Sequence, residues 1–223
     1  MILDSFRLDG KVAVVTGARK GLGFGIAEGL AEAGADIVGV GPIPMPETEK
    51  AVTSLGRKFL YVEADLTSQE RIPDIVAETV AGLGSLDILV NNAGIIRRAD
   101  ILEFSEKDWD DVMNVNLKSL FFLSQEAARQ MAKQGRGGKI VNITSMLSFQ
   151  GGIRVPSYTS SKSAVAGLTK LMANEMAQFG VQVNAIAPGY MATDNTEALQ
   201  KDPVRNKEIL ARIPNGRWGT PDD

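Results

Sequence analysis

Short apolar runs alternate with longer stretches of helical character along this chain, and that alternation restricts it to one broad class of fold. Residues 11–16 read Lys-Val-Ala-Val-Val-Thr, with apolar side chains at consecutive positions. Successive strand side chains point to opposite faces, so such a run suits a strand buried on both sides. Residues 36–40, 58–62, 86–90, 139–143 and 181–186 read the same way. Between them, residues 21–33, 47–55, 68–83, 105–134 and 156–179 carry helical character. Pro42, Pro44 and Pro46 make a loop after the second strand. Pro73 falls early in one helical stretch and Pro156 at the start of another, where helices tolerate proline. Ser105 is placed to cap the stretch that follows it, with Asp108 at the third helical position. The alternation predicts an α/β fold: a doubly wound parallel sheet in three αβα layers, forming one domain over residues 1–223.

Composition narrows the function. The formal net charge is −3 and there is no long basic run, which argues against a nucleic-acid partner. No apolar run approaches the ~20 residues of a membrane span, and the first residues do not read as a secretory leader. There is no cysteine, so disulfides and thiol catalysis are excluded, which suits the cytoplasm. There is no histidine either, which removes Ser-His-Asp catalysis and His-based metal sites. Proton chemistry is left to Tyr, Lys, Asp, Glu or water.

Against that background Tyr158 and Lys162 gain weight. They lie four residues apart in a helical stretch and so share a face. A cation beside a phenol favours the phenolate and lowers a pKa normally near ~10. Ser145, upstream, offers a hydroxyl that could hold a carbonyl oxygen. Together they suggest an acid–base device for interconverting a carbonyl and an alcohol. The same spacing also occurs on many solvated helix faces.

Thr16-Gly17-Ala18-Arg19-Lys20-Gly21-Leu22-Gly23 joins the first strand to the first helix. Glycines there permit a tight turn and close approach of a pyrophosphate, and the helix N-terminus favours the anion. The second strand ends Val40-Gly41-Pro42, without the usual ribose-binding acid. Arg19 and Lys20 could attract the extra phosphate of NADP or could be exposed loop charges.

Four elements coincide in order: Thr16 to Gly23, Asn91-Asn92-Ala93-Gly94, Ser145 with Tyr158 and Lys162, and Pro188-Gly189. In this the chain resembles the short-chain dehydrogenase/reductase family, over almost its whole length. The resemblance implies a Rossmann-like fold and a nicotinamide cofactor held by Gly17, Arg19, Lys20, Gly21, Leu22, Gly23, Asp65, Leu66, Asn92, Ala93, Gly94, Tyr158, Lys162, Pro188, Gly189 and Thr193. It implies Asn116, Ser145, Tyr158 and Lys162 as catalytic residues, with Asn116 steadying a water between Lys162 and solvent. Residues 104–113, 145–156 and 187–193 resemble members that act on deoxy sugar acids, usually with NAD(H). NAD is therefore the expected cofactor, NADP not being excluded. The implied substrate residues are Ser145, Met146, Gln150, Arg154 and Tyr190; Arg154 is expected to hold the carboxylate, with Arg97 and Arg98 as second choices. The resemblance also implies a homotetramer, and a further helix and seventh strand beyond residue 223. An NADPH-dependent 3-ketoacyl reductase and a non-catalytic dinucleotide-binding regulator are the alternative readings.

Overall fold

The computed structural model describes all of residues 1–223. Its sheet contains β1 (Val12–Thr16), β2 (Asp36–Gly41), β3 (Phe59–Glu63), β4 (Ile88–Asn91), β5 (Gly138–Ile143) and β6 (Val181–Ile186). All pairs are parallel and the order is β3-β2-β1-β4-β5-β6. This is the doubly wound order, in which the chain reverses direction across the sheet between β1 and β4 and leaves a crevice at their carboxyl ends.

Every residue of β1 is buried, because both faces of the strand are covered. Val12 and Val14 join a core with α3 (Ile72–Leu83), α5 (Leu120–Gln134) and α6 (Pro156–Met176). Ala13 and Val15 face the opposite core, with Ala27 and Ala31 of α1 (Gly21–Glu32) and Val52 of α2 (Pro46–Ser54). Burying each valine stabilises the fold by roughly 1.5–3 kcal/mol. The consecutive apolar run in the sequence is thus the imprint of a strand with no wet face. No helix is long and apolar enough to cross a membrane.

The predicted stretch 105–134 is not one α-helix. It divides into α4 (Glu106–Met113), a π-helical segment over Asn114–Ser119 and then α5. Ser105 does cap α4, accepting from the Asp108 amide. The π segment carries Asn116, whose side chain binds outside its own helix. Two short helices, α7 (Glu197–Lys201) and α8 (Pro203–Leu210), follow β6.

A buried amide ladder fixes α6 to the sheet. Asn91 Nδ2 donates to Asn142 Oδ1 at 2.9 Å, and Asn142 Nδ2 donates to Thr169 Oγ1 at 2.9 Å. Because unsatisfied buried amides are costly, this chain of bonds sets the position of α6 and the side chains it carries.

Candidate active site

A cavity of about 450 Å³ lies at the carboxyl ends of the strands, across the β1–β4 crevice. Gly17 and Gly21 form its turn in left-handed conformations, with φ of +67° and +57°. At Gly23 a Cβ would collide with the Gly17 carbonyl and fall 2.5 Å from Asn92 Nδ2. Thr16 Oγ1 accepts from the Asn92 and Ala93 amides at 3.0 Å each, and Asn92 Nδ2 donates to Thr16 O at 2.9 Å. These bonds lock the turn onto the end of β4. Lys20 caps α1 through backbone alone, with no side-chain acceptor, which leaves the first helix amides for an anion. The uncapped helix end and bare glycine cradle fit a pyrophosphate. Every residue expected to hold the cofactor lines the cavity.

Tyr158, Lys162 and Ser145 line its inner end. Pro156 opens α6, so Tyr158 lies in the first turn and Lys162 one turn later. Ser145 follows β5 and accepts from the Leu147 amide at 3.1 Å. Lys162 is 3% exposed; its Nζ lies 5.8 Å from the Tyr158 ring centre and donates to Ile143 O at 2.5 Å. Burial pushes the Lys162 pKa down to about 8. Burial also raises the Tyr158 pKa, opposed by the Ser145 hydroxyl and then by the Arg98 charge. Lys162 is not among the groups that shift Tyr158 here, although its Nζ stands over the Tyr158 ring. The lysine faces the Ile143 carbonyl, and the cation felt by Tyr158 is Arg98.

The depressed Lys162 pKa carries a sign. Between pH 8 and an ordinary lysine pKa near ~10.4, the unfolded lysine binds more protons than the folded one. Its contribution to stability therefore rises with pH through that window and is lost as pH falls through the folded pKa. Urea unfolding of wild type and Lys162→Met at pH 8 and pH 10 should show wild type gaining on the variant at the higher pH. An unchanged difference would contradict the burial argument.

Asn116 is fully buried. Its Oδ1 accepts from Ile95 N at 2.8 Å, and its Nδ2 donates to Ile95 O at 3.0 Å and to Ser161 Oγ at 3.2 Å. It clamps the segment after β4 to the first turns of α6, which explains the widened π segment that presents it.

Four expected substrate residues do not line the cavity: Met146, Gln150, Arg154 and Tyr190. Arg154 has a φ of +65° and its Nε pairs with Asp100 Oδ1 at 3.0 Å, while its carbonyl accepts from Ala99 N at 3.2 Å. That clasp joins two outer loops through an exposed ion pair. Gln150 is exposed, and Tyr190 packs edge-on against Trp218 with ring centres 5.7 Å apart. The two second-choice arginines diverge. Arg97 pairs with Asp108 and Asp111 of α4 at 3.4 and 3.5 Å. Arg98 donates to Asn195 O at 2.8 Å, makes no ion pair and, like Arg154, does not line the cavity, although its charge opposes the rise of the Tyr158 pKa. Sequence reading also missed Asp194 and Asn195, which line the cavity. Lying beyond the last strand's carboxyl end was the available signal.

The chain matches the family model described as short chain dehydrogenase over residues 11–204. It is 63% identical to 2-dehydro-3-deoxy-D-gluconate 5-dehydrogenase of Escherichia coli K12 over 223 residues, covering 100% of this chain and 88% of the relative. A crystal structure from Agrobacterium tumefaciens, a proposed 2-deoxy-D-gluconate 3-dehydrogenase with bound NADP, superposes with a TM-score of 0.92 at 55% identity, covering 97% and 86% of the two chains. A gluconate 5-dehydrogenase from Burkholderia cenocepacia, in complex with NADP and tartrate, gives 0.93 at 38% identity, covering 100% and 88%. With the doubly wound strand order agreeing with these superpositions, the chain belongs to the short chain dehydrogenase family, NAD(P)-dependent oxidoreductases acting on CH–OH groups.

Proposed function

We propose that this enzyme interconverts a keto and a hydroxyl group on a deoxy sugar acid of the 2-dehydro-3-deoxy-D-gluconate or 2-deoxy-D-gluconate type. The observation that carries the chemistry is the meeting of Ser145, Tyr158 and buried Lys162 in the same cavity as the glycine cradle. The substrate class is supported by the relatives' names, and Arg98, which makes no ion pair and whose charge reaches Tyr158, is the cation offered for the carboxylate.

Bound in the cleft, NAD(P)H supplies the hydride from its nicotinamide C4. Ser145 donates a hydrogen bond to the substrate carbonyl oxygen. Tyr158 gives that oxygen its phenolic proton during reduction, a role suited to a phenol whose burial keeps it protonated. Lys162, buried beside the Tyr158 ring, would hold the cofactor's ribose and serve as the proton source for Tyr158. Asn116 keeps the loop after β4 and α6 in register. Arg98, rather than Arg154, binds the substrate carboxylate, since guanidinium is suited to forked hydrogen bonding with that group.

NAD(H) is the working cofactor in this reading, with NADP(H) accepted: Lys20 is already paired with Asp194, leaving Arg19 as the single unpaired cation at that end. The enzyme acts in the cytoplasm as a homotetramer. Exposed Phe122 on α5 and Leu171 on α6, beside a groove containing Phe121 and Leu168, support contact with further copies. Sedimentation at assay concentrations would then report the mass of four chains, and a monomer would contradict it.

Oxidation of NADH and NADPH should be followed with a keto deoxy sugar acid and with a 3-ketoacyl thioester. Turnover of the sugar acid with little of the thioester is expected. The reverse preference would replace this reading with a ketoacyl reductase, and binding without turnover of either would favour a regulator.

A further inference from the structure

The cavity wall contains few charged residues: Arg19, Lys20 and Lys162 as cations, Asp65 and Asp194 as acids. Lys162 is buried at the catalytic end. Asp65 turns into its own loop, its Oδ1 accepting from Thr67 N at 2.9 Å. Asp194 instead reaches across the mouth of the cleft to pair with Lys20, the residue that opens α1. Both partners are solvent-accessible, at 59% and 64% of their side-chain surface, so the pair stays free to exchange. At the ribose edge β2 ends in Gly41-Pro42, with no carboxylate to refuse an extra phosphate.

We infer that Asp194 is a cofactor-selectivity residue: by occupying Lys20 and placing a negative charge at the cleft mouth, it disfavours the 2′-phosphate of NADP(H) relative to NAD(H). The inference rests on the dinucleotide-binding reading above. An acid opposite a phosphate acts by charge, and the usual acid for this task is absent from β2. The Lys20 ammonium would suit a phosphate once released, being a compact charge with mobile donors. Arg19 lies close enough for its charge to help hold Asp194 below the usual carboxylate range, after the hydrogen bond and charge of Lys20. Asp194 thus neutralises Lys20 directly and reaches Arg19 only through its charge. The segment that carries it is tied down a second time by Arg98, through Asn195 O, so the carboxylate is held at the mouth.

The test is the dissociation constant of NADH and of NADPH, measured by nicotinamide fluorescence on wild type, Asp194→Asn, Lys20→Met and the double variant. Asp194→Asn removes the charge with little change of shape at an exposed position. NADPH should bind about tenfold more tightly to it, a change of roughly one unit charge at the cleft, while NADH stays within about twofold. Much of that gain should vanish in the double variant, because Lys20 is the group set free. Equal shifts for both cofactors, no shift, or a gain retained without Lys20 would overturn the inference. Failure of wild type to bind either cofactor would overturn the dinucleotide site itself, and this inference with it.

Discussion

Tyr158→Phe is expected to lower kcat for sugar-acid reduction by about 10²–10⁴-fold, the usual loss when a positioned acid is removed. NADH affinity should change less than about threefold, because the ring remains and the glycine cradle is untouched. The fold should tolerate the change as well. Burial disfavours ionisation of this phenol, opposed by Ser145 and then Arg98, so the variant removes no buried charge. Stopped-flow binding beside steady-state turnover separates the two quantities. A variant that loses cofactor binding and turnover together would mean that Tyr158 supports the pocket rather than the proton transfer. A variant that keeps full turnover would remove it from the reaction.

The second large effect concerns Arg98. Replacing it by methionine keeps much of the aliphatic stem and removes the charge. Loss of a charge-assisted pair costs roughly 2–5 kcal/mol where the partner is left unpaired. For the sugar acid, kcat/KM should fall about 10-fold, below that range, because Arg98 is exposed and solvent screens its charge. The methyl ester of the same acid should be nearly indifferent to the change. The acid-to-ester preference would then collapse. Arg154→Met should move it little, since Arg154 is paired with Asp100. A preference that survives Arg98→Met and falls with Arg154→Met would restore the sequence-based choice.

That choice shows where sequence reading stops. The strands were legible because β1 and its neighbours are buried on both faces, and such burial writes continuous apolar runs. The Tyr158–Lys162 face was legible because helical spacing alone brings the two together. Arg154 falls outside the cavity lining for local reasons that no spacing reports: a left-handed backbone and a carboxylate on another loop. Arg97 and Arg98 are indistinguishable in sequence, yet α4 supplies two acids to the first and none to the second. The π segment was hidden because Asn114–Ser119 has ordinary helical composition, and the bulge answers to Ile95 and Ser161 on other elements. Asp194 was overlooked because its partner Lys20 lies 174 residues away.

Hydride delivery to the keto carbon of a sugar acid at the Tyr158 site is the step on which the proposed function turns. It is tested most directly by running the reduction with NADH deuterated at the transferred position of nicotinamide C4 and reading the product by NMR. One deuterium at the new carbinol carbon of the sugar acid, formed by wild type and reduced about 10²–10⁴-fold in rate by Tyr158→Phe, is the predicted result. A product without deuterium at that carbon, or one formed equally fast by the variant, would contradict it.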